Sequence, residues 1–234
     1  MVAHGVRLSR DQVNALNGAE QLEYYTFYCD EILCRNENSK TGKKCWNLSL
    51  PVETSCRCNA PCKKGCYACK GRQILPNVLG GYYRNWRLWD NNPTDYEAQI
   101  CAKLTRTPLP FFRYSDAGDI PSIEYFKMMV RIALRFPDIK FLVYTKQYEI
   151  VNKWLDQNEK LPDNLTVRFS YWDKSWEVPN PHNLPRAWVS FKKLDKNPDY
   201  PAKAFTCHCN PGTTCSTCGV CFNKKVGDVI FHEH

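Results

Sequence analysis

Fourteen cysteines in 234 residues constrain this chain more than any other feature, because ten of them fall in two dense groups. The first group is Cys56, Cys58, Cys62, Cys66 and Cys69; the second is Cys207, Cys209, Cys215, Cys218 and Cys221. The N-terminal residues contain no apolar stretch of signal-peptide length, and no segment approaches the roughly 20 apolar residues of a membrane span. The expectation is therefore a soluble, cytoplasmic chain. In a reducing compartment structural disulfides are disfavoured, which leaves metal ligation as the economical use of so many thiols.

Spacing indicates which metal chemistry to expect. Cys215, Cys218 and Cys221 form C-x2-C-x2-C, which lets consecutive turns of one loop present sulfur to different corners of an iron-sulfur cube. Zinc ribbons instead pair two C-x2-C knuckles separated by a dozen or more residues, so iron-sulfur is preferred for the second group and zinc stays open. In the first group five thiols share fourteen residues, and iron-sulfur and zinc are nearly balanced there. Cys62, Cys66 and Cys69 have the C-x3-C-x2-C spacing of radical S-adenosylmethionine enzymes, but Tyr67 follows the second cysteine and Ala68 precedes the third, where those enzymes carry an aromatic. Cys29, Cys34, Cys45 and Cys101 are scattered and read as small buried residues rather than ligands.

The rest of the chain reads as one globular domain. Its divisions are an N-terminal segment 1–55, a first cysteine loop 56–71, a βα core 93–206 and a C-terminal cysteine segment 207–234. Leu22 to Tyr28 has strand character, and Gly80-Gly81 reads as a turn. Tyr96, Ile100, Cys101 and Leu104 repeat at helical spacing until Pro108 and Pro110, and Phe111 to Tyr114 follows as a strand. Ser122 is placed to cap a helix that buries Tyr125, Met129, Ile132 and Ala133 and stops at Pro137. Ile139 to Thr145 is strand, Tyr148 to Leu155 helix, and Leu165 to Tyr171 strand, with weaker strands at 187–191 and 204–207. This alternation predicts an α/β fold with a parallel sheet covered by helices, in the form of an incomplete βα barrel.

Functional groups of such sheets sit beyond the carboxyl ends of the strands. Those ends carry Ser115, Asp116, Asp119, Thr145, Lys146, Trp172 and Cys207, so the second cysteine group is expected to begin at the same rim. Asp119 and Lys146 are the candidates for holding a polar or anionic ligand there; capping and ordinary surface exposure are the competing uses. His232 and His234 alternate on a terminal strand and are not favoured as ligands. The tryptophans read as core or as shields that keep water from a cluster. A formal net charge of +8 admits a nucleic-acid partner without requiring one.

With these residues in view, the chain resembles the phage and prophage family called gene product 88, and distantly the radical S-adenosylmethionine barrel. The resemblance rests on Asn38-Ser39-Lys40-Thr41-Gly42-Lys43, the run ending Cys66-Tyr67-Ala68 with Lys70-Gly71, Pro76-Asn77-Val78, Gly118-Asp119, Pro137-Asp138, Tyr144-Thr145-Lys146, Pro211-Gly212, the C-x2-C-x2-C run and Val229-Ile230-Phe231. It implies Cys56, Cys62 and Cys66 as ligands in the first group, and Cys215, Cys218 and Cys221 with Cys209 or Cys207 in the second. Cys58 and Cys69 lie outside that pattern, so the fourth position of the first set is Cys69, another thiol or an open iron, and Cys69 is taken as the expected ligand. The reading that follows is a protein of a bacterial host or phage-infected cell with two four-iron four-sulfur (4Fe-4S) clusters, held by Cys56, Cys62, Cys66, Cys69 and by Cys209, Cys215, Cys218, Cys221. S-adenosylmethionine as a further cofactor, and a small-molecule substrate or electron donor as partner, belong to its enzymatic form. The alternative is a non-enzymatic iron-sulfur or zinc scaffold that meets nucleic acid or a host protein through its basic surface.

Overall fold

The computed structural model describes residues 5–36, 39–57, 59–172, 176–192, 199–207 and 212–232. Its strands are β1 (Cys34–Arg35), β2 (Cys45–Leu48), β3 (Phe111–Tyr114), β4 (Lys140–Thr145), β5 (Leu165–Tyr171), β6 (Arg186–Ser190), β7 (Phe205–Thr206) and β8 (Val229–His232). They make one sheet in the order β1-β2-β3-β4-β5-β6-β8-β7. Only β1 is antiparallel to its neighbour. The sheet is open, with β1 and β7 at its edges, so the α/β expectation holds as a mostly parallel sheet that does not close.

β4 is an apolar run, while β5 alternates apolar residues with the buried polar Thr166 and Arg168, and both strands are covered on both faces. Side chains alternate across the sheet. Phe112, Tyr114, Phe141, Val143, Val167 and Phe169 enter the main core on the outer face. There they meet α4 (Pro76–Asn91), α5 (Pro93–Arg106), α6 (Ile123–Arg135) and α7 (Tyr148–Leu155). α6 starts where the sequence places it, with the Ser122 hydroxyl accepting from the Tyr125 N–H at 3.2 Å. Cys45, Leu142, Ala187 and Val229 point to the inner face, where they meet Cys221 and Phe222.

Connection rules explain what lies on each face. From β2 to β6 the chain steps across the sheet in one direction, and helices cover the outer face. β8 then returns between β6 and β7, which reverses the direction. Right-handed crossovers in opposite directions lie on opposite faces. The β7–β8 connection, which carries Cys215, Cys218 and Cys221, accordingly lies on the inner face.

Two expectations are corrected. Residues 22–28 do not form a strand: 22–27 belong to α2 (Gly18–Phe27) and Tyr28 is its C-cap, the helix being started by a capping box in which Asn17 accepts from the Ala19 and Glu20 N–H groups and Glu20 accepts from the Asn17 N–H. Gly80-Gly81 is not a turn but lies within α4. A Cβ at Gly80 would sit 2.5 Å from the Tyr25 Cβ, and one at Gly81 2.0 Å from Leu33 Cδ2, so the pair is a notch through which α2 and the β1 approach meet α4.

Candidate metal-thiolate sites

The first thiol loop leaves the sheet through α3 (Val52–Ser55), which hands the chain to Cys56. The Ser55 hydroxyl donates to the Pro51 carbonyl at 2.6 Å and accepts from the Asp119 N–H at 3.0 Å. Gly118, at φ +79°, permits this approach, since a Cβ there would stand 2.5 Å from both the Leu50 carbonyl oxygen and Ser55 Oγ. Asp119 is buried and accepts from Thr145 Oγ1 at 2.6 Å, Ile120 N–H at 2.8 Å and Lys146 N–H at 2.9 Å. It thereby locks the β3 exit to the end of β4, while burial raises its carboxyl pKa against the lowering effect of those bonds. Arg57 completes the clamp by donating to the Lys146 carbonyl at 3.2 Å and pairing with Glu149 at 2.7 Å. Lys146 places its Nζ 5.9 Å from the Trp172 ring centroid.

Beyond Cys56 the loop runs through three single 3-10 turns, Lys63–Gly65, Tyr67–Cys69 and Gly71–Ile74. The Tyr67 hydroxyl donates to the Asp116 carbonyl and holds this segment over the rim. Burial pushes the Cys56 thiol up to about 12, with Asp119, Cys62 and Cys66 adding to the rise and Lys146 opposing it. Cys69, which is exposed, is raised by desolvation and by Cys66, to which it is hydrogen-bonded, and also by Glu53 and Cys62. Cys56, Cys62, Cys66 and Cys69 thus share one electrostatic neighbourhood, and Asp119 and Lys146 belong to it.

The second group begins at the expected rim and then leaves it. Cys207 follows β7 at the carboxyl rim, but Cys215 and Cys221 lie against the inner face of the sheet, because the β7–β8 connection crosses it. α8 (Cys215–Cys218) is tied to the turn before β2 through Cys215 N–H to the Lys40 carbonyl at 2.8 Å and Ser216 N–H to the Thr41 carbonyl at 3.0 Å. Gly42, at φ +82°, gives the clearance: a Cβ there would stand 2.5 Å from Thr214 Oγ1 and Ser216 Oγ. The other end is held by Arg168 of β5, fully buried, whose guanidinium donates to the carbonyls of Cys221 at 3.0 Å, Gly227 at 2.6 Å, Asn223 at 3.2 Å and Val226 at 3.1 Å. Thr166 adds a bond to the Phe222 carbonyl at 3.0 Å.

This arrangement brings in residues that spacing did not single out. Cys45, fully buried at the start of β2, packs in the same cluster as Cys215 and Cys221. Burial pushes its thiol up to about 12; Arg113 lowers it, and Cys215 and Asp116 raise it further. Burial raises Cys221 as well, while a hydrogen bond from Tyr144 and the charges of Arg168 and Arg113 oppose the rise. Arg113 pairs with Asp116 at 3.2 Å and stands among Tyr67, Tyr144 and Cys215, between the two thiol groups. The available signal was alternation along β2, which puts Cys45 and Asn47 on one face and Trp46 and Leu48 on the other. Cys34 and Cys101 are buried against the outer-face core, and Cys29 is half-buried with Arg84 Nη1 2.9 Å from its sulfur.

Among the described residues, no three His, Cys, Asp or Glu side chains stand together in the geometry of a metal site. The donor chemistry nevertheless suits a soft metal, since each group offers several thiols. Cys45, Cys56, Cys69 and Cys221 are raised chiefly by burial, with neighbouring thiols adding to the rise, which a cationic centre would reverse. Cys58, Cys209 and His234 lie outside the described residues.

An open, mostly parallel sheet with one thiol loop on its carboxyl rim and another across its inner face defines a cysteine-rich α/β protein. The chain belongs to the gene product 88 family, whose model matches residues 30–224. The match covers both thiol groups and begins before the Asn38 motif; Val229-Ile230-Phe231 lies beyond it. No curated protein and no solved structure matches the chain. No described helix is long and apolar enough to cross a membrane.

Proposed function

We propose that this chain is an iron-sulfur protein whose rim cluster is held by Cys56, Cys62, Cys66 and Cys69, and whose inner-face cluster is held by Cys215, Cys218 and Cys221 with Cys209. The observation that carries the reading is the shared neighbourhood of the four rim thiols beside Asp119 and Lys146. A bound cluster would supply a one-electron couple. The chain's own residues anchor the loops: Asp119, Ser55 and Arg57 fix the rim loop to the sheet, and Arg168 and Gly42 fix the inner one. Tyr144, hydrogen-bonded to Cys221, and Arg113 beside Cys215 are the groups positioned to favour the reduced form, since donors and positive charge near cluster sulfurs raise the potential.

Because Cys69 joins the rim set, this proposal gives the first cluster four protein thiolates and a role in electron transfer or structure, rather than an iron left open to substrate. Iron and acid-labile sulfide measured after anaerobic reconstitution, with paramagnetic resonance of the reduced protein, test it. Close to eight irons and eight sulfides per chain are expected for two such clusters, on the order of four of each per cluster. A colourless protein holding zinc and no sulfide would overturn it in favour of a zinc scaffold.

A further inference from the structure

We infer that a cleft at the β1–β2 edge of the sheet binds a small anion-bearing molecule, with a phosphate or carboxylate as the recognised group, at a site separate from both thiol groups. The cleft has a volume of about 660 Å³, within the ~300–1,000 Å³ of small-molecule sites. Three cations from three elements line it: Arg35 of β1, Arg72 of the 3-10 turn after the first thiol loop, and Lys103 of α5. Among the described residues none of the three is in an ion pair. Arg35 Nη2 donates to the Asn77 carbonyl at 3.2 Å, and Lys103 Nζ rests 4.2 Å from the centroid of the Trp46 ring. The carboxylate at the cleft, Asp116, is paired with Arg113 at 3.2 Å. The site is therefore left with an excess of positive charge, and guanidinium forks match phosphate and carboxylate oxygens.

A second observation is independent of charge. Asn47, only 6% exposed, lines the same cleft. Its Nδ2 donates to the Thr41 hydroxyl at 2.8 Å and to the Cys45 and Arg35 carbonyls at 3.1 and 3.2 Å, which fixes the amide's orientation. Its Oδ1 has no hydrogen-bond partner among the described residues. A buried acceptor of this kind calls for a donor, which an ordered water or a hydroxyl or amine of a ligand supplies. The recognised molecule thus carries an anion for Arg35, Arg72 and Lys103 and a donor for Asn47, as a phosphorylated sugar or a hydroxy acid does.

Isothermal titration of the chain with inorganic phosphate, citrate and adenosine monophosphate tests this, and the change in intrinsic fluorescence that a Trp46→Phe variant loses is a parallel reporter. At least one probe should bind with Kd below about 1 mM, and Arg72→Ala and Lys103→Ala should each weaken that binding about tenfold, the cost of one charge-assisted contact. Lys127→Ala on the outer surface of α6 should leave it unchanged. Phosphate with adenosine monophosphate, or citrate alone, would say which anion the site takes. Silence from all three probes up to about 10 mM, or equal binding by wild type and both cleft variants with unchanged urea midpoints, would overturn the inference.

Discussion

Replacing Arg168 with methionine would remove one side chain on which the inner thiol segment depends. Arg168 is 0% exposed and its guanidinium bonds four carbonyls, those of Cys221, Asn223, Val226 and Gly227. Methionine has similar reach, so the loss is of hydrogen bonds more than of volume. Bonds from a charged donor contribute about 1.5–3 kcal/mol each, but these four share one group, and the freed loop can swing out to water and re-solvate its carbonyls. The expected destabilisation is therefore about 3–5 kcal/mol, the scale of breaking one buried charged network, with a fall in Tm on the order of 10 °C for a chain of this size. Urea unfolding gives the free energy, and hydrogen exchange locates it: protection should fall at 215–232 and persist in β3, β4 and α6. Arg131→Met is the comparison, because its bond to Glu97 at 2.5 Å is exposed and such pairs contribute about 0.5 kcal/mol. Equal effects from the two variants, or loss of protection spread evenly over the sheet, would refute the reasoning.

Other expectations follow from the same contacts. Gly118→Ala should cost about 2–4 kcal/mol, because a non-glycine at φ +79° is strained and its Cβ would press on the Leu50 backbone; a urea midpoint within error of wild type would exclude the close approach. Cys45→Ser should lower reconstituted iron while Cys34→Ser leaves it unchanged, because Cys45 shares the buried inner cluster with Cys215 and Cys221 and Cys34 does not; equal iron in both variants would show that Cys45 only packs. In the metal-free protein the exposed Cys218 should be alkylated ahead of Cys34, since Cys34 is buried and desolvation holds its thiol well above the ordinary range. Peptide mass mapping of timed iodoacetamide reactions reads that order.

The sheet core was legible because its signals are local. β3 and β5 fall where Phe111 to Tyr114 and Leu165 to Tyr171 put them, β4 follows the apolar, β-branched run that ends at Thr145, α5, α6 and α7 follow their 3.6-residue periodicity, and α6 starts at its Ser122 cap. α2 was missed because its aromatic run, Leu22 to Tyr28, suits a strand equally well; the capping pair Asn17 and Glu20 was the overlooked cue. Gly80 and Gly81 misled because glycine marks a turn and a tight helix contact alike, and only the partner helix distinguishes them. At the sites, the rim position of Asp119 and Lys146 was readable from strand ends. The inner-face position of Cys215 and Cys221 was not, because it depends on β8 returning between β6 and β7, a long-range pairing that leaves no local mark. Cys45 was hidden for the same reason: a cysteine inside a short strand reads as packing until the opposing segment is known.

The place of β8 also sets an order of events during synthesis. The outer edge strand, β7, pairs with β8 and not with β6, which precedes it in the chain. Until the chain has been made through Val229–His232, β7 therefore has no seat, and β6 presents an unpaired parallel edge. The cysteine-bearing connection can settle across the sheet only once Val229–His232 has been made and slotted in. Until then Cys221, buried in the finished fold, lacks the strand that completes its cover.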